Sequence, residues 1–196
     1  YFLSKKVNFH MLEVNWKFEH IIRYILIFIF GFGSLIILAF NSNCNVKKVN
    51  KIFQARFDAI KRHYQYQCFT GDSILYKNQS WHLQKLDLRR LNRLAIHLVG
   101  DHDFLSLSKF REDMDHTRCI IYKSEWKSAG KMVIFRITGN RFLHHMVRYL
   151  VGTMIAVVEK RFSEEDFLSL IMNPQKDARI FKAPAEGLIL IQVDYE

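Results

Sequence analysis

Between Arg62 and Tyr195 the apolar residues change period repeatedly, and this switching limits most sharply what the chain can fold into. Arg62 to Cys68 alternates, with Tyr64, Tyr66 and Cys68 on one face and Gln65 and Gln67 on the other, which reads as a strand. Asp87 precedes Leu88, Leu91, Leu94, Ala95 and Leu98, a helical spacing with a cap at its start and Gly100 at its close. Cys119 to Trp126 and Met132 to Thr138 are two further strands, joined by a turn at Ser128 to Gly130. Ser163 caps a short helix carrying Phe167, Leu168 and Ile171. A loop through Pro174 and Pro184 leads to alternation at Ile189, Ile191, Val193 and Tyr195, read as a last strand with one buried face. Hairpins interleaved with helices predict an α+β fold, a mixed and mainly antiparallel sheet flanked by helices.

Arg141 to Gly152 reads Arg-Phe-Leu-His-His-Met-Val-Arg-Tyr-Leu-Val-Gly. Placed on a helix, Arg141, His145, Arg148 and Gly152 share one face at i, i+4, i+7 and i+11. Leu143, Met146, Val147, Leu150 and Met154 take the other, so the helix buries an apolar side and offers a basic one. Such a face is a floor for an anionic ligand, with a merely solvated face as the plain alternative. Lysine and arginine outnumber aspartate and glutamate by 29 to 19, a net charge of +10. The excess is spread along the chain, from Lys61 and Arg62 through Lys109, Arg111 and Arg118 to Lys160 and Arg161. Charge distributed over a folded body suits a polyanion lying across it, and nucleic acid is the leading partner class.

Cys44, Cys68 and Cys119 are widely spaced, odd in number and match no zinc pattern, which predicts reduced, buried thiols in a cytoplasmic protein. The adjacent His144 and His145 would point about 100° apart on a helix and cannot grip one metal well. The stretch 24–40 carries no charge over 17 residues. As a helix it would extend roughly 25 Å, somewhat short of a ~30 Å hydrocarbon core, so buried elements of a folded body compete with a membrane anchor there. The chain opens on Tyr1 and not on Met, as expected of a fragment or a misread frame. Residues 1–45 are accordingly read as an apolar, degenerate segment, and 46–196 as the folded domain.

Several separated segments resemble the TruA-type tRNA pseudouridine synthases in that family's order, over roughly residues 53–195. These are Ala55-Arg56-Phe57-Asp58-Ala59 with Lys61-Arg62-His63-Tyr64-Gln65-Tyr66, and Leu98-Val99-Gly100-Asp101-His102-Asp103-Phe104. The stretches Asn140 to Gly152 and Ala183 to Tyr195 complete the set. The resemblance implies a homodimeric α/β enzyme with no metal or organic cofactor, isomerising uridine to pseudouridine in the tRNA anticodon stem-loop. It implies Tyr64 as the pocket tyrosine, Arg148 as the arginine pairing a catalytic aspartate, and Leu188 as an apolar wall of the base pocket. Arg141 and His145 join these as substrate-binding residues.

The chemistry breaks a C–N glycosidic bond, rotates the base and forms a C–C bond, so a carboxylate must act while cations keep it ionised. The family's nucleophile sits in Arg-Thr-Asp-Ala-Gly, which this sequence lacks. Aligning Gly31-Phe32-Gly33 with the family's Gly-x-Gly puts Ser34, Leu35 and Ile36 at the Arg-Thr-Asp positions. Asp58 and Asp103 fall in other segments, and isoleucine is neither nucleophile nor base. The expectation is an impaired synthase with no catalytic residue visible. The alternatives are a non-catalytic tRNA- or RNA-binding protein on the same fold, or a membrane-anchored protein using residues 24–40. A shortened first half is also expected to leave apolar surface around Met146 to Val157 uncovered, promoting dimerisation or aggregation.

Overall fold

The computed structural model describes residues 12–16, 26–28, 35–37, 44–48, 52–72, 75–111 and 116–195. The chain divides into two units, Tyr1–Asp58 and Ala59–Glu196. In the first, β1 (Leu12–Trp16) pairs antiparallel with β4 (Cys44–Lys48), and β2 (Leu26–Phe28) with β3 (Leu35–Ile37). The described parts of 24–40 are thus extended backbone paired as two strands, not one continuous helix. Among the described residues no helix is long and apolar enough to cross a membrane. Leu35 and Ile36 lie in β3, whereas Gly31 to Ser34 lie outside the described residues.

The second unit is built on a six-stranded sheet in the order β10-β5-β9-β8-β7, with β6 beside the end of β5. Its strands are β5 (Lys61–Phe69), β6 (Trp81–His82), β7 (Gly100–Asp103), β8 (Arg118–Ala129), β9 (Met132–Gly139) and β10 (Leu188–Asp194). All pairings are antiparallel except β5 with β6, in agreement with the α+β expectation. Tyr66 and Cys68 are fully buried on the predicted face of β5, and Cys68 and Cys119 are free buried thiols. Burial pushes the Cys119 thiol up to about 12 and the Cys68 thiol higher still, so neither is a nucleophile at neutral pH. The β8–β9 turn falls at Gly130 and Lys131, where Gly130 takes φ 62, a region glycine enters without steric cost.

Helices α1 (Leu88–Ile96), α2 (Met146–Val158) and α3 (Glu164–Met172) complete the unit. Asp87 caps α1 by accepting from Arg89 and Arg90 backbone N–H groups, and Ser163 caps α3 by accepting from Asp166 N at 2.9 Å. Asn92 on α1 donates to Trp126 O and accepts from Trp126 N, tying the helix to β8. Every residue of α2 from Leu150 to Val157 is buried, so this helix is the centre of the core. The surface expected to stand bare around Met146 to Val157 is instead covered by the sheet and its neighbouring helices. Exposed apolar side chains occur at Ile189, Leu190 and Ile191 on β10. That strand lies at the sheet edge with Leu188, not Ile189 and Ile191, turned to the core, so the expected buried face is the exposed one, and it bulges between Leu190 and Gln192.

Candidate functional site

The basic segment is not one helix. Arg141 to Leu143 are non-helical, His144 and His145 form a turn, and α2 starts at Met146. His145 takes φ 62, ψ 1, a left-handed conformation tolerated better by His, Asn and Asp than by most residues. Leu143 still reaches the core at 6% exposure, so the apolar spacing survives although the backbone does not follow it. Arg141 turns away to hydrogen-bond His116 Nε2 at 3.0 Å, and Gly152 is buried. The proposed face of Arg141, His145, Arg148 and Gly152 therefore does not form. Tertiary packing replaced it with a different assembly.

That assembly is organised by the strap 178–187, which runs from α2 onto β5. An added Cβ at Gly152 would lie 2.3 Å from Phe181 O and 2.6 Å from Ala183 N, so only glycine lets the strap approach the helix this closely. Ala183 N donates to Arg148 O at 3.0 Å, and Arg148 Nε donates back to Ala183 O at 2.8 Å. Pro184 O accepts from the Tyr66 hydroxyl at 2.8 Å, and Ala185 O from Leu188 N at 3.0 Å. Three successive carbonyls thus fix Arg148, Tyr66 and Leu188 to one piece of chain.

Tyr64 pairs across the ladder with Leu190, and Tyr66 with Leu188. Directly opposed residues share a face, so Tyr64, Tyr66 and Leu188 line one side of the sheet, the side on which α2 packs. Tyr64 is half-buried and meets Phe142 edge-on at 5.1 Å. Burial raises its hydroxyl above the usual tyrosine range, with Arg62 opposing. Burial likewise raises Tyr66, reinforced by Cys68 and Glu186 and opposed by the Arg148 guanidinium, so Tyr66 stays a neutral donor. Tyr64, Tyr66 and Leu188 share one wall, Arg148 is held by the strap beside Tyr66, and Arg141 is engaged with His116.

His145 belongs to a second cluster against Arg148. Its ring stacks on His144 with centroids 3.9 Å apart and meets Tyr149 edge-on at 6.0 Å. Lys109 N donates to His144 O at 2.9 Å, and the Lys182 ammonium stands 5.7 Å from the Tyr149 centroid. Desolvation lowers the His145 imidazole below its ordinary value, and His144, Lys182, Arg148 and Lys109 push it the same way. Desolvation, then Arg148 and Lys109, also lower Lys182. Among the described residues no carboxylate ion-pairs with Lys109, His144, His145, Arg148 or Lys182. Neither Lys182 nor Tyr149 was evident from the pattern, and Lys109 counted only as diffuse charge. The one available signal was Lys182 standing directly before the Ala183-Pro184 motif.

A pocket of about 490 Å³ shares Pro184 and Glu186 with the strap and is lined also by Asp72, Lys77, Ser80, Trp81 and His82. Among the described residues no three His, Cys, Asp or Glu side chains are grouped to hold a metal ion.

The second unit thus sets a cationic cluster beside an aromatic and apolar wall on an α+β frame. Residues 94–196 match the family model described as tRNA pseudouridine synthase, and the chain belongs to that family. It is similar to the tRNA pseudouridine synthase A of Chlorobaculum tepidum, 34% identical over 151 residues, covering 76% of this chain and 61% of the relative. The Neorickettsia sennetsu enzyme of the same name is 36% identical over 156 residues, at 76% and 62%. That of Chlorobium limicola is 39% identical over 144 residues, at 73% and 59%. The chain spans about three fifths of the length of these relatives.

Proposed function

We propose that this chain is a tRNA-binding member of the pseudouridine synthase family that holds the anticodon stem-loop but, as written, does not isomerise uridine. Residues 46–196 act as the synthase-like domain, in the cytoplasm and as a homodimer, and 1–45 as a degenerate segment. An extruded pyrimidine lies on the wall of Tyr64 and Leu188, since a base taken out of its stack needs an aromatic or apolar surface. Arg148 is the arginine that the resemblance pairs with the family's carboxylate, and Arg141 and His145 contact the RNA at separate points. The observation that carries the reading is Arg148 itself: its guanidinium is fixed by Ala183 O beside Tyr66, without an ion-paired carboxylate among the described residues. A positioned cation without its acid can bind substrate, yet it supplies neither nucleophile nor base.

The test is to incubate the purified chain with unmodified tRNA, measuring binding by filter retention and product by mass spectrometry. Binding without pseudouridine is the expected result. Pseudouridine formed in the anticodon arm would overturn the inactive reading, and absent binding would overturn the reading altogether.

A further inference from the structure

The cluster Lys109, His144, His145, Arg148 and Lys182 gathers three cations around two imidazoles, with no carboxylate ion-paired to any of them among the described residues. The five residues come from three separate pieces of chain. Lys109 follows β7, the histidines and Arg148 stand at the entry of α2, and Lys182 lies on the strap. Hydrogen bonds fix them there: Lys109 N to His144 O at 2.9 Å, Ala183 N to Arg148 O, and the Arg148 side-chain Nε to Ala183 O. Lys109, His144 and Lys182 are exposed, so the cluster is open to a large anion.

We propose that His145, with Lys109 and Lys182, forms a proton-linked seat for an RNA phosphodiester, so that binding the phosphate draws a proton onto this imidazole. The inference rests on the tRNA-binding reading above and adds a regulation to it. Among the described residues, the groups set against His145 are cations and rings: His144 in the turn, Arg148 and Tyr149 on α2, Lys182 on the strap and Lys109 on the loop. In the free protein these neighbours disfavour the imidazolium. An anionic phosphate seated among them reverses the local field, and the imidazolium becomes a charge-assisted donor to it. Because the linkage is reciprocal, protonation strengthens binding and RNA weakens its hold as pH rises. One pK unit of change at the imidazole corresponds to about a tenfold change in Kd.

The experiment titrates the 196-residue chain with a fluorescent anticodon stem-loop RNA at fixed ionic strength, across roughly pH 5 to 8, where histidine changes charge. The wild type should lose several-fold to about tenfold affinity over that span. His145→Asn keeps a residue that tolerates the left-handed backbone but cannot titrate, and it should flatten most of the slope. Lys182→Gln should weaken binding at every pH and move the midpoint upward. NMR titration of the His145 ring in the wild type should shift to higher pH on adding RNA. RNA binding with the same slope in His145→Asn, or a ring titration unmoved by RNA, overturns the proton linkage and leaves the tRNA-binding reading standing. A ring shift produced by inorganic phosphate but not by RNA overturns the phosphodiester as the occupant. No RNA binding at any pH takes down both.

Discussion

At the residue scale Gly152 separates the two ways of reading this chain. In an exposed helix, glycine to alanine gains about 1 kcal/mol through propensity. Here the added Cβ would meet backbone atoms of Phe181 and Ala183 at 2.3 and 2.6 Å, and backbone cannot rotate aside. Gly152→Ala is therefore expected to destabilise the fold by about 1–3 kcal/mol, as overpacking does. It should also displace the strap that holds Arg148, so RNA affinity should fall with it. A urea midpoint at or above that of wild type would show that the strap is not seated on α2 as described. Read along the sequence, Gly152 looked like the last member of a cationic face. Its role as a contact point exists only once residues 181 and 183 lie across it.

At the element scale β10 is the least secure strand, exposed at its apolar centre and bulged. Its far end is latched to β5 and β9 by side chains. The His63 ring meets Asp194 Oδ2 at 2.9 Å and Thr138 Oγ1 at 3.0 Å, while Gln192 donates to Asp194 Oδ1 at 2.6 Å. The His63 hydrogen bond, with Gln192 and Lys61, holds the Asp194 carboxyl below its usual value against an opposing desolvation. A depressed folded-state value means stability present above the unfolded value, roughly 4, and lost as pH falls through the folded one. Asp194→Asn should thus be less stable than wild type by about 0.5–1 kcal/mol at pH 6, the size of a partly exposed pair. The gap should close as both are taken toward pH 3, followed by urea midpoints. A gap constant over that range would mean the carboxylate is not the latch. The alternation of Ile189, Ile191, Val193 and Tyr195 marked the strand but not its buried face: Ile189 and Ile191 are exposed, Leu188 packs on the core, and nothing in the pattern announced an edge position.

On the scale of the whole molecule the +10 charge governs how a polyanion is met, and salt is its probe. If Lys109, Arg148 and Lys182 each neutralise one phosphate, log K should fall against log salt with a slope of about −2 to −3. Diffuse attraction to the remaining cations would steepen it. Fluorescence titrations at several salt concentrations measure the slope directly, and Lys182→Gln should reduce it by about 1. A salt-independent affinity would contradict a phosphate-seating surface anywhere on the chain.

The class of fold was legible because it depends on periods that local sequence carries: alternation for β5, β8 and β9, three- and four-residue spacing for α1 and α3, and capping oxygens at Asp87 and Ser163. The chemical character of the site was legible too, since cations and aromatics are named by their letters. Where those groups meet was not. A helical spacing continued through Arg141 to His145 although the backbone there is not helical, because burying Leu143 needs only that its side chain reach the core. Lys109 and Lys182 stand 73 positions apart, and no local pattern relates them. Only the packing of the strap against Gly152 brings them to one histidine, because such closeness is set by long-range contact between backbones.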